Sequence, residues 1–125
     1  MTILLDTHIL LWWLANDPLL PKKALRLIAD DSSAVFVSSA TAWEIAIKKT
    51  AGKLTAPANL EAALEASRFE PLPIAMRHAL LAGRLPRHHA DPFDRMLVAQ
   101  AQLEGMILVT HDRRLSVYGH FVQVV

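Results

Sequence analysis

Met1-Thr2-Ile3-Leu4-Leu5-Asp6 (residues 1–6) decides how the rest of the chain is read. An uncharged, mostly apolar run with a β-branched centre, stopped by an acid, reads as a strand buried on both faces. A half-exposed strand would alternate apolar and polar side chains. Working outward, the same signature recurs at Ala34 to Val37 and Met106 to Thr110, and Phe121 to Val125 reads as a last strand. Helical patterns fill the intervals. His8 to Ala15 follows the first strand, and Pro21 suits the first helical residue of a segment reaching Asp30 and Asp31. Ser38 or Ser39 can cap a helix ending near Gly52, and Asn59 one running through Ser67. Phe69 to Ile74, with Pro71 and Pro73, suits a short edge strand or extended connector, and Ala75 to Arg84 is helical again. Leu85 to His89 reads as loop. Asp91-Pro92 then starts a helix that stops at Gly105, and His111 to Ser116 reads as a turn or short helix.

Strands alternating with helices point to an α/β fold of three layers, a mainly parallel sheet covered on both faces. With 125 residues, the chain has the length of one domain, so residues 1–125 are expected to form a single unit. A 53% hydrophobic content without cysteine means that folding rests on apolar burial, and no thiol can serve catalysis or zinc. A net charge of +1 excludes a polycation, so any nucleic-acid contact must come from local basic patches. The N-terminus opens on a strand rather than a basic leader, and no apolar run reaches the roughly 20 residues of a membrane span. A cytoplasmic protein without a membrane partner is the expectation.

In open α/β sheets, ligands collect beyond the carboxyl ends of the strands. Four acids map to that edge: Asp6 after the first strand, Glu44 early in the helix after the second, Asp94 in the first turn of its helix, and Asp112 just past Leu108-Val109-Thr110. Carboxylates gathered within a few ångströms repel one another and must take up protons or share a cation. Oxygen donors without cysteine favour Mg²⁺ or Mn²⁺ over Zn²⁺. Such a site suits metal-assisted hydrolysis of a phosphodiester with no protein nucleophile. Each acid also has a plain structural reading. Asp6 can cap the helix after it, Glu44 can pair with Lys48 at i,i+4, Asp94 can complement a helix dipole, and Asp112 can begin a turn. The apolar setting of Glu44, among Ala42, Trp43, Ile45 and Ala46, argues against an ordinary solvated face.

Four blocks, LLDTHILLWWL (4–14), SSATAWEIAIKKTAGKL (38–54), LPRHHADPFDRMLVAQA (85–101) and ILVTHDRRL (107–115), resemble the PIN-domain toxins of VapBC toxin–antitoxin pairs. The blocks stand in the family's order and span nearly the whole chain. The resemblance implies a PIN-like parallel-sheet nuclease fold and Mg²⁺- or Mn²⁺-dependent cleavage of RNA, leaving a 5′-phosphate and a 3′-hydroxyl. It also implies a homodimer and neutralisation by a small cognate antitoxin protein. Carried over block by block, it makes Asp6, Glu44, Asp94 and Asp112 the catalytic metal ligands.

Around these acids, Thr7 and Thr110 can bind metal-bound water or phosphate, although threonines at strand ends are commonly structural. Asp91 can be an outer ligand or orient Arg95, and a helix cap is its plainer role. Lys48, Lys49, Lys53, Arg95, Arg113 and Arg114 flank the acidic edge and can grip RNA phosphates, or simply solvate helix ends. His88, His89 and Asp91 match no zinc-ligand spacing, so a polar loop is the reading there, and a His111-Asp112 doublet directly after a buried strand does not suit an all-helical metal enzyme. Trp12 and Trp13 cannot both enter one narrow core stripe. Either one faces a partner or both fill a core shared by two helices. Two rival functions stay open: a structure-specific DNA nuclease of related fold, and a non-catalytic RNA- or protein-binding module.

Overall fold

The computed structural model describes residues 1–125. In chain order the elements are β1 (Thr2–Leu5), α1 (Thr7–Leu14), α2 (Lys22–Ala29), β2 (Ala34–Ser38), α3 (Ser39–Thr50), α4 (Leu60–Ala66), β3 (Glu70–Leu72), α5 (Met76–Arg84), α6 (Pro92–Glu104), β4 (Ile107–Thr110), a 3-10 helix (Arg113–Tyr118) and β5 (Val122–Val124). The strands form one sheet in the order β3-β2-β1-β4-β5, and every neighbouring pair is parallel. Ile3 of β1 lies between Val35 of β2 and Ile107 of β4. The short apolar runs thus occupy the middle of the sheet, where both faces need covering.

Alternation along the central strands divides the core. Ile3, Leu5, Val35, Val37 and Val109 pack with Ile9, Leu10, Ala24, Ile28, Ile45 and Leu64 on one face. Leu4, Leu108 and Val122 pack with Ala82, Leu97, Val98, Ala101 and Leu115 on the other. Three layers result, with β1 through β4 each followed or preceded by a helix that covers one face. The prolines of Phe69 to Ile74 explain why β3 is three residues long and sits at the sheet edge, where Pro71 has one neighbour to satisfy instead of two.

Local chemistry sets the boundaries. The Asp6 side chain caps α1, so that helix begins at Thr7, one residue before His8. Pro21 stands at the N-cap of α2 rather than inside it. Ser38, Asn59 and Asp91 cap α3, α4 and α6 through their side-chain oxygens. Gly105 ends α6 in the left-handed region at φ 66°, which glycine adopts without a Cβ clash. No helix is long and apolar enough to cross a membrane.

Candidate metal centre

At the carboxyl edge of the sheet, the strand order reverses between β1 and β4, and there a cavity of ≈ 270 Å³ opens. Asp6, Glu44, Asp94 and Asp112 all line it, together with Thr7, His8, Trp12, Lys48, Asp91, His111 and Arg114. Asp6 is delivered by the end of β1, where its backbone N–H still bonds to Val109 of β4 at 3.0 Å. Glu44 comes from the second turn of α3, Asp94 from the first turn of α6, and Asp112 from the N-cap of the 3-10 helix.

Each carboxylate is oriented by a donor from its neighbours. Asp6 Oδ1 accepts from Thr7 N–H at 2.6 Å, and Oδ2 accepts from the Thr110 hydroxyl at 2.5 Å. The Thr7 hydroxyl donates to Glu44 Oε1 at 2.6 Å, while Lys48 Nζ donates to Oε2 at 2.5 Å. Both oxygens of Asp112 accept from one edge of the Arg114 guanidinium, Oδ1 from Nε at 3.0 Å and Oδ2 from Nη2 at 2.8 Å. The plain and the functional readings of these acids therefore coincide in space: Asp6 caps a helix and Glu44 pairs with Lys48, and both still face the cavity.

The electrostatics register the crowding. Asp6 and Glu44 are almost entirely buried, at 6% and 5% exposure, and burial pushes the Asp6 carboxyl up against the pull of Thr110 and Thr7. Asp94 is raised to about 6, first by burial and then by the Asp6 charge. Asp112 moves the other way, held low chiefly by its bonds to Arg114. Lys48 is raised by its bond to Glu44. Two carboxyls that resist ionising in a cavity open to water, with oxygen donors and no thiol, suit a hard divalent cation, which would relieve their repulsion.

A family model for the PIN domain matches residues 3–120. The chain belongs to the PIN-domain family. Among its relatives is Ribonuclease VapC22 of Mycobacterium tuberculosis, 30% identical over 122 residues that cover 95% of this chain and 93% of that protein. Two solved structures share the PIN fold: VapBC2 from Rickettsia felis bound to a DNA fragment from their promoter, and a toxin–antitoxin complex from Klebsiella pneumoniae. The first has a TM-score of 0.70 at 18% identity and covers 100% of this chain and 98% of that one. The second has a TM-score of 0.65 at 19% identity, with coverage of 91% and 90%. Identities this low make the likeness one of fold.

Within this PIN domain the basic residues divide. Lys48 and Arg114 line the cavity, each on a carboxylate. Lys49 reaches instead to the Pro57 carbonyl at 3.3 Å, and Arg113 is exposed on the 3-10 helix outside the cavity lining. Arg95 turns away from the acids altogether, donating to the carbonyls of Ala82, Leu85, Pro86 and His89. Asp91 does not orient it, because Asp91 Oδ1 accepts from the N–H groups of Phe93 and Asp94 at the start of α6. The two tryptophans also part company. Trp13 packs on Phe69 and donates to Ser67 Oγ, whereas Trp12 lines the cavity between His8 and His111. Sequence reasoning missed both Trp12 as a lining residue and His89, whose Nε2 lies 2.7 Å from Asp94 Oδ2.

Proposed function

We propose that this PIN domain, residues 1–125 acting as one unit, is a Mg²⁺- or Mn²⁺-dependent endoribonuclease, the toxin of a type II toxin–antitoxin pair. The observation that carries the reading is the convergence of Asp6, Glu44, Asp94 and Asp112 on one cavity at the switch point of the sheet. These four carboxylates would hold the cation. Once bound, a divalent ion orients the phosphodiester, makes water more acidic and offsets charge in the transition state.

The protein's own side chains do the rest. Thr7 and Thr110 hold the Glu44 and Asp6 side chains in place by donating to one oxygen of each. Lys48 and Arg114 at the rim supply positive charge where the flanking phosphates of an RNA strand would lie, each able to exchange a carboxylate for a phosphate oxygen. Trp12 offers a flat face within reach of a base. In this reading water adds to phosphorus as the P–O3′ bond breaks and the departing 3′ oxygen takes up a proton, which leaves a 5′-phosphate on one product and a 3′-hydroxyl on the other.

A cognate antitoxin protein as partner is supported by the toxin–antitoxin assemblies that share this fold. A homodimer belongs to the same reading through the resemblance to VapBC toxins. The deciding experiment incubates single-stranded RNA and flapped DNA in parallel with the purified chain, Asp6→Asn and Asp94→Asn, with Mg²⁺, Mn²⁺ or chelator. Cleavage of RNA by the parent chain alone, and only with metal, is expected. Full activity in both variants would rule out this site. Cleavage of the DNA only would make it a DNA nuclease, and binding without cleavage a non-catalytic module.

A further inference from the structure

The segment between α5 and α6, residues 85–91, has no periodic pattern, yet it is firmly placed. The Arg95 guanidinium donates to Ala82 O at 2.7 Å, Leu85 O at 2.9 Å, Pro86 O at 3.0 Å and His89 O at 3.4 Å. The Tyr118 hydroxyl adds a bond to Pro86 O at 3.1 Å, and its ring meets His88 edge-on at 5.3 Å. What this scaffold brings up behind the acids is His89, which stands outside the cavity lining and meets the site through Asp94. Its side chain is 8% exposed, with Nε2 at 2.7 Å from Asp94 Oδ2 and 4.0 Å from Asp112 Oδ2.

We propose, building on the cation site argued above, that His89 is a positioning residue for that site. Its Nε2–H fixes the Asp94 carboxylate in the orientation that receives the cation, and Arg95 acts behind it by pinning the loop that delivers the ring. Asp94 Oδ2 accepts the hydrogen bond from the imidazole N–H, while Asp94 Oδ1 receives no hydrogen bond from the protein and is left for the ion. The 2.7 Å separation is that of a hydrogen bond with a proton between the two atoms. Two donors at right angles around one cation, each with a bond of about 2.1 Å, would stand about 3 Å apart with no proton between them. His89 thus acts through Asp94. Carboxylate ligands held by such partners commonly lose roughly 10- to 100-fold in metal affinity when the partner is removed.

The test measures Mn²⁺ binding to the full chain by calorimetry and by the electron-paramagnetic-resonance signal of free Mn²⁺, with no RNA present. His89→Ala is expected to weaken binding at least tenfold, and His89→Gln, whose side-chain amide nitrogen takes the place of Nε2, to restore most of it. Circular dichroism identifies any variant that fails to fold, and the Gln variant then carries the comparison. Unchanged affinity in His89→Ala overturns the proposal. So does a failure of Gln to rescue a folded protein, or a nitrogen coupling in the spin-echo spectrum of the Mn²⁺-loaded chain that His89→Gln removes, which would make the histidine a ligand. Should the parent chain bind no Mn²⁺ that Asp94→Asn abolishes, the cation site itself is wrong, and this role falls with it.

Discussion

Replacing Asp94 by asparagine tests the charge argument at its most exposed point. The carboxyl sits at about 6 in the folded protein against 3.8 ordinarily, so the folded state holds this proton more tightly than the unfolded chain does. The resulting penalty on folding is full above pH 6, shrinks as pH falls through that value, and is gone below 3.8. Just over two pH units at about 1.36 kcal/mol each sets a ceiling of about 3 kcal/mol at pH 7.5. Water reaching the cavity screens the charge, which brings the expected effect to about 1–2 kcal/mol. Asp94→Asn removes the charge and keeps an acceptor for His89. In chelator it should therefore melt about 4–8 °C above the parent chain. Adding Mn²⁺ should reverse the order, because only the parent gains binding energy from the ion, about 2.7 kcal/mol at a hundredfold excess over Kd. Thermal denaturation by circular dichroism, with chelator and with Mn²⁺ at pH 7.5 and again at pH 5, reads all of this. If the variant melts lower in chelator, or gains as much from Mn²⁺ as the parent, the clustered-charge account is refuted.

Three further outcomes are expected. Thr110→Val, nearly isosteric, should cost about 1–2 kcal/mol in urea denaturation by stranding Asp6 Oδ2, and should weaken Mn²⁺ binding measured by calorimetry. Arg95→Met should cost about 2–3 kcal/mol by the same denaturation assay, with Arg95→Lys recovering little, because one ammonium cannot reach four carbonyls that a planar guanidinium serves together. RNA cleavage at fixed, subsaturating Mn²⁺ should fall as pH drops through about 6, where Asp94 takes up a proton and competes with the ion; a rate flat from pH 7 to pH 5 would contradict this.

Elements governed by local chemistry were legible in the sequence. Asp91-Pro92 announced α6 and Gly105 its end, because a cap acceptor, a proline in the first turn and a left-handed stop act within a few residues of themselves. Uninterrupted apolar runs mark the central strands, and in a parallel sheet the acids that follow such strands share one edge. His89 was illegible for the opposite reason. Residues 85–91 take their course from a guanidinium that belongs to the next helix, and no periodicity encodes which loop carbonyls Arg95 will gather. The same limit applies to Trp12 and Trp13, since adjacency in a helix separates two side chains by about 100° but does not say which side holds the cavity.

The bond from Thr110 to Asp6 joins residues 104 positions apart, and β4 lies directly against β1 in the middle of the sheet. During synthesis, therefore, the first half of the acidic pocket waits for almost the entire chain to emerge. A nascent fragment that stops before β4 lacks Asp112, the Thr110 donor and the neighbour that closes the sheet around β1. For a ribonuclease toxin, harmfulness is thereby postponed until β4 has been made and has joined β1.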